Sequence, residues 1–288
     1  MAGQLVIPSE RQQPWGWPAA ANLFLGGAAT GYYLLSLIAA VLTDGAAALF
    51  QPVSSGLLAA LLASLGFLAL TVEAGRPARG YRAFQSLRRS WMSRETLSLA
   101  VFVSAVVLER VYPHPVLRAL AVSSAVLLMV SQGFILYRAR AVAAWNVPVM
   151  PLLFLSSGLA SGSGVLLMAA DGGEESLAAP ASLGLLCAAF NAAVWLTYLL
   201  NGSRSADFRF FTEAMRRPLA LAVTVGLGSV VPMLLLLMLF AIPGLGGGKP
   251  SGETITSLSG LALLAGTAAQ KAGVVMKAGY LREIVLKR

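Results

Sequence analysis

Eight apolar stretches recur along the chain, at 18–42, 53–74, 95–112, 116–137, 147–170, 181–201, 218–242 and 257–279. Each is about 20 residues long, the length an α-helix needs to cross a hydrocarbon core of roughly 30 Å. A segment in hydrocarbon must satisfy its own backbone hydrogen bonds, and the helix does so within one segment. Almost nothing of the 288 residues is left for a soluble domain. The composition agrees, with only 11% of residues charged against roughly 25% in soluble domains. The expected fold is an all-α membrane protein: one integral domain over 1–288, its eight transmembrane helices forming two four-helix bundles joined by short links. MAGQLVIPSERQQP reads as a polar lead-in and not as a cleavable signal peptide, because it lacks a basic n-region.

The chain has one cysteine, Cys187, and one histidine, His114. A bis-histidine haem needs two histidines and an iron–sulfur cluster usually needs four cysteines. Neither cofactor, nor another metal site, is expected in this chain. No P-loop, dinucleotide fingerprint, HExxH, Ser-His-Asp pattern or convincing internal repeat is present.

Eight crossings place the N-terminus, the 2–3, 4–5 and 6–7 links and the C-terminus on one side. That side holds 17 of the 21 lysines and arginines, six of them (Arg76, Arg79, Arg82, Arg88, Arg89 and Arg94) within the single link 76–94. The opposite side has Arg110, Arg118 and Lys249 among six acidic residues. By the positive-inside rule the arginine-rich side is cytoplasmic, with both termini inside. The expected setting is a prokaryotic cytoplasmic membrane. The arginines serve topology and anionic lipid on this reading, and no nucleic-acid partner is expected.

Polar residues inside spanning helices are costly and tend to mark function. Here they gather toward the arginine-rich side: Asn22, Glu73, Glu95, Gln132, Tyr137, Asn146, Tyr198, Asn201, Gln270 and Lys271. Simpler explanations stand beside the functional one. Trp15, Trp17, Trp145, Tyr137 and Tyr198 suit an interfacial aromatic belt. Asn146, before Pro148, suits a helix cap. Glu95 suits a first-turn carboxylate with Ser93 as cap. Glu73 lies at a helix C-terminus, where the dipole disfavours an anion, so Arg76 or Arg94 is expected beside it. On the opposite side Glu109 and Arg110 are expected to reach water. Small residues in FLGGAATG, SSGLASGSG and GLALLAG allow close helix packing.

Four stretches carry a resemblance. WGWPAAANLFLGGAATG opens helix 1, EAGRPARGYRAF and SWMSRE lie between helices 2 and 3, and AWNVPVMPLLFLSSG opens helix 5. Over about the first 165 residues the chain resembles the membrane-anchor subunits of the dimethyl sulfoxide reductase, NrfD or polysulfide reductase type. The resemblance implies a cofactor-free bundle that docks a ferredoxin-like iron–sulfur subunit, itself bound to a molybdopterin catalytic subunit, and exchanges electrons with ubiquinone or menaquinone. Asn22 then falls in the region lining the quinone pocket, and Glu95 matches the carboxylate of an S-x-E motif. Glu73 stands where relatives often have His or Asp.

The implied quinone and proton-handling set is Asn22, Glu73, Glu95, Tyr137 and Lys271, with no catalytic residue in the chain itself. Arg76, Arg79, Arg82, Arg88, Arg89 and Arg94 form the implied docking surface, since acidic ferredoxin-like partners match positive charge. A cytoplasmic docking side resembles the sulfite-oxidising relatives, and so implies sulfur metabolism within anaerobic or lithotrophic respiration. A small transporter, with Lys271 as its best residue, and a purely structural anchor are the alternatives.

Overall fold

Most helix starts coincide with a proline or a capping side chain. Trp17–Asp44 (α1) begins with Pro18, Pro115–Tyr137 (α4) with Pro115, and Met150–Ala169 (α5) with Pro151. Proline suits the first helical turn because the missing N–H would have no partner there. His114 Nδ1 accepts from Val116 N at 3.2 Å and caps α4. Trp91–Val111 (α3) is capped by Ser90, whose hydroxyl accepts from Ser93 N at 3.3 Å. The cap is therefore Ser90 and not Ser93, and α3 starts four residues before the apolar run, which places Glu95 in its second turn.

The structure is a computed structural model that describes residues 5–7, 9–13, 15–45, 55–73, 86–170, 174–201, 206–242, 250–281 and 284–286. The other helices are Ser55–Glu73 (α2), Glu174–Asn201 (α6), Ala206–Arg216 (α7), Pro218–Leu221 (α8), Val231–Ala241 (α9) and Pro250–Ala272 (α10). A π-helical segment, Ala222–Val230, joins α8 to α9 into one span, and a second, Gly273–Lys277, continues α10.

All eight expected spans are present as helices, but several begin earlier than their apolar cores. α6 starts at Glu174 and α10 at Pro250. The amphipathic α7 lies in the link between the sixth and seventh spans, where no apolar run marks it. Its Phe208, Phe211 and Met215 are buried while Arg209, Phe210 and Glu213 are exposed.

Among the described residues, seven helices are long and apolar enough to cross a membrane, and α2 is a shorter apolar one. The short strands Leu5–Ile7 (β1) and Ile284–Leu286 (β2) pair antiparallel. Arg11 bridges to Tyr280 and Val142 to Leu281. Both end segments and the α4–α5 link thus meet on one face. An odd number of crossings would separate β1 from β2, so α2 counts as the eighth span.

Neighbouring helices close two rings, α1–α2–α3–α4 and α5–α6–α9–α10, joined mainly where α1 and α4 meet α5. This is the expected pair of four-helix bundles. The joint is made by glycine: a Cβ built on Gly162 would lie 2.5 Å from the Cα of Gly31. Gly27 and Gly158 also approach, a Cβ on Gly27 lying 3.2 Å from the Gly158 Cα, and Gly164 with Gly260 repeats the pattern between α5 and α10.

The core is divided by depth. One apolar cluster, around Tyr33, Phe102, Leu167 and Leu263, fills the half away from the arginines. A second, around Leu136, Phe154, Trp195 and Val275, fills the arginine-rich half. On α4, α5, α6 and α10 the residues between the two clusters include Gln132, Ser156, Ser157, Asn191, Gln270 and Lys271, all buried.

Gly162→Leu is expected to destabilise the protein by more than the roughly 1–3 kcal/mol typical of overpacking, because backbone and not a side chain stands in the way. Gly226→Ala, where a Cβ meets nothing within 4 Å, is expected to be neutral. Thermal unfolding in detergent checks the pair.

Candidate functional site

Glu95 points from α3 toward α1 and α4. Its Oε1 accepts from Asn22 Nδ2 at 3.1 Å and from Gln132 Nε2 at 3.3 Å. Gln132 Nε2 also lies 3.4 Å from the Asn22 carbonyl. The three side chains are buried, with exposures of 6%, 6% and 1% for Asn22, Glu95 and Gln132. Gly26 makes room for them, since a Cβ there would lie 2.5 Å from Gln132 Nε2. The amide orientation of Gln132 follows from these two acceptors, and it leaves Oε1 buried with no hydrogen-bond partner. A buried, unmatched acceptor costs about 1–3 kcal/mol, so the position favours a ligand or solvent that can donate.

Lys271 reaches the same region from the other bundle. Its Nζ donates to the Leu23 carbonyl at 2.8 Å and sits 5.6 Å from the centre of the Phe154 ring. A Cβ built on Gly27 would touch Lys271 Nζ and lie 3.6 Å from Gln132 Oε1. Absence of a side chain at Gly27 is therefore what lets an amine from α10 stand beside Gln132. Among the described residues no carboxylate pairs with Lys271.

A second polar chain continues through the other bundle. Ser156 Oγ donates to Asn191 Oδ1 at 3.3 Å, and Asn191 Nδ2 to Gln270 Oε1 at 3.1 Å. Gln270 Nε2 reaches the Thr224 carbonyl at 3.4 Å, and Trp195 Nε1 donates to Thr224 Oγ1 at 3.1 Å. This chain uses amides, hydroxyls and an indole, and no ionisable group.

A cavity of about 400 Å³ lies at the start of α3, and Glu95 is not among its lining residues. Arg88, Arg89, Arg94 and Arg138 line it together with Trp15 and Trp91. Trp91 and Glu95 are four residues apart on α3, and Gln132 and Ile135 of the lining three apart on α4, so cavity and carboxyl share helix faces. One helical turn, about 5.4 Å, separates their levels. Trp91 stacks on Phe134 at 4.4 Å, and the Arg94 guanidinium lies 4.1 Å over the Trp91 ring. Arg94 also donates to the Leu87 and Arg88 carbonyls, each at 3.0 Å. It braces the loop and Trp91 and makes no ion pair with Glu95.

The structure thus brings together Asn22, Glu95 and Lys271 of the sequence-derived set and adds Gln132. Tyr137 stands apart: its ring is edge-on to Phe134 and its carbonyl accepts from Asn146 Nδ2 at 2.8 Å. Asn146 therefore ties the α4 end to the link and does not cap α5. Glu73 is the last residue of α2, its side chain outside the described residues, as are Arg76, Arg79 and Arg82.

Of the expected belt residues, Trp17 is 63% exposed, whereas Trp145 and Tyr198 are core residues bonded to the Val274 and Ala144 carbonyls. Glu109 does not reach water. It is buried, ion-paired with Arg118 of α4, and accepts from the Tyr33 hydroxyl at 3.4 Å. Only the fold brings Arg118 back across the turn at His114.

Multiple apolar helices, with a buried polar layer displaced to one side, define a multi-pass membrane protein. Residues 6–113 match the family described as polysulphide reductase, NrfD, so the family resemblance read from the motifs is shown over the first three spanning helices. That family implies a membrane anchor subunit of polysulfide- or molybdoenzyme-type reductase complexes, and its members partner with iron–sulfur and molybdopterin subunits. No curated protein matches the chain. The matched stretch contains Asn22, Glu95 and the whole arginine-rich link. Gln132, Tyr137 and Lys271 lie beyond it.

Arg118→Met is expected to cost about 3–5 kcal/mol of stability by stranding a buried carboxylate. Adding Glu109→Leu is expected to recover most of the loss, and a double-mutant cycle in thermal unfolding measures the coupling.

Proposed function

We propose that this chain is the quinone-reactive membrane anchor of a molybdopterin oxidoreductase, passing electrons between a partner's iron–sulfur clusters and the membrane quinone pool. The observation that carries the reading is Glu95, buried between Asn22 and Gln132 one turn beneath an arginine- and tryptophan-lined cavity. The residues fit such a ligand. The cavity falls within the roughly 300–1,000 Å³ range of small-molecule sites, Trp15 and Trp91 add apolar area to its lining, and Gln132 Oε1, one helical turn from that lining, is an unused acceptor.

A bound quinone supplies a two-electron, two-proton acceptor. Glu95 is the group placed to hold and deliver a proton, at its Oε atoms, and positioned carboxyls serve general acid–base steps. Asn22 and Gln132 fix its orientation. Lys271 adds a buried amine on the far side of Gln132. At the mouth, Arg88, Arg89 and Arg138 are exposed and suit an acidic ferredoxin-like partner, whose encounter they would speed and orient.

The docking side is also the arginine-rich side, and the positive-inside rule places it in the cytoplasm of a prokaryotic inner membrane. A cytoplasmic catalytic partner matches the sulfite-oxidising arrangement. Oxidation of sulfite with water to sulfate releases two electrons and two protons, and the electrons pass through the partner's clusters to the quinone site. The protons consumed there come from the cytoplasmic side.

Glu95→Gln is expected to leave the complex assembled and its activity with an artificial electron carrier unchanged, while quinone-linked turnover falls at least about tenfold. Equal losses in both assays would make Glu95 structural. Orientation is tested with Arg209→Cys and Ser251→Cys in a Cys187→Ala background. An impermeant thiol reagent applied to intact cells is expected to modify position 251 and spare position 209. The reverse pattern would overturn the cytoplasmic assignment and sulfite oxidation with it.

A further inference from the structure

The second bundle has a cavity of its own, of about 340 Å³, lying where α6, α7 and α10 meet. Two of its walls are π-helical: Val223 and Thr224 come from Ala222–Val230, and Met276 and Lys277 from Gly273–Lys277. π-turns inside helices are rare and frequently fall at functional sites. Here both π-helical segments of the described residues border the same space.

The lining is mainly apolar, with Trp195 along it, and its charged members are Arg217 and Lys277. Both cations are exposed. Glu213 stands 4.0 Å from Arg217, with both side chains about two-thirds exposed or more, a geometry that contributes little. Lys277 has no ion pair among the described residues.

The surroundings place this cavity at the membrane surface. α7 buries Phe208, Phe211 and Met215 while Phe210 is 65% exposed, the habit of an interfacial helix. Leu219 and Leu227, on the span beginning at Pro218, are 79% and 40% exposed, so that face meets acyl chains. An apolar space opening beside lipid, with two cations among its lining, calls for a ligand with a hydrocarbon body and an anionic head. Free phosphate would meet the cations and leave the apolar space unfilled. A neutral lipid or quinone would fill the space and leave the cations unmatched.

We propose that this cavity binds one anionic phospholipid, with its phosphate held by Arg217 and Lys277 and an acyl chain alongside Trp195. The site is separate from the Glu95 region and stands whether or not that region handles quinone.

The whole chain is reconstituted in phosphatidylcholine vesicles containing a minor fraction of phosphatidylglycerol brominated on its acyl chains, and tryptophan fluorescence is read. Brominated phosphatidylglycerol is expected to quench a component that Trp195→Phe removes. The Arg217→Gln/Lys277→Gln variant, altered only at exposed side chains, is expected to need about tenfold more of the lipid for the same quenching. Ala269→Phe, which fills the cavity, is expected to abolish that component. Millimolar inorganic phosphate is expected to leave it unchanged. Equal quenching by brominated phosphatidylcholine at the same fraction would overturn the proposal, as would competition by inorganic phosphate. Unchanged quenching in the Arg217→Gln/Lys277→Gln variant would do the same.

Discussion

The contact on which the rest of the molecule depends is the crossing of α1 and α5 at Gly27, Gly31, Gly158 and Gly162. Lipid is as apolar as leucine, so helices gain nothing in hydrocarbon by merely hiding hydrophobic surface from one another. They associate through close packing and interhelical hydrogen bonds, and glycine allows the backbones to touch. Because the two bundles meet without side chains between them, a lysine on α10 can reach a carbonyl on α1. Larger residues at this joint would separate the bundles and withdraw Lys271 from Gln132.

That close approach also explains how a polar layer survives in the interior. Each buried donor or acceptor there has to find a partner inside the protein, and the layer supplies them across α1, α3 and α4 in one bundle and α5, α6 and α10 in the other. The bundles use related layouts, each with a glutamine on its fourth span, Gln132 and Gln270. They differ in chemistry. Gln270 has both ends of its amide engaged. Gln132 has one free end and a carboxyl beside it. At this level the first bundle therefore has an open acceptor beside an ionisable group, and the second a fully matched amide.

Apolar run length made the eight spans readable from sequence, and charge count made the two faces readable. Both signals are local and additive. Helix starts were less readable, because caps and prolines extend α3, α6 and α10 beyond the apolar cores that reveal them. α7 has no apolar run to mark it, although Phe208, Phe211 and Met215 fall at helical spacing.

At the site, Glu95, Asn22 and Lys271 stood out as polar residues in apolar surroundings. Their mutual contacts were not legible, since Lys271 and Leu23 are 248 residues apart and nothing local records such pairing. The burial of Glu109 is hidden for the same reason: hydropathy shows a charge near a helix end, not the cation and tyrosine that face it from other helices.

The reach of Lys271 to α1 has a consequence for biosynthesis. Spans enter the membrane in chain order, and α1, α3 and α4 can form the Asn22–Glu95–Gln132 cluster while the second half of the protein is still being made. Until α10 arrives, the Leu23 carbonyl lacks its amine and the strand facing β1 does not yet exist. The face that carries the arginines is then unfinished at the crossing of the two end segments. A partner that read that face as a whole would recognise only molecules whose eight spans are in place.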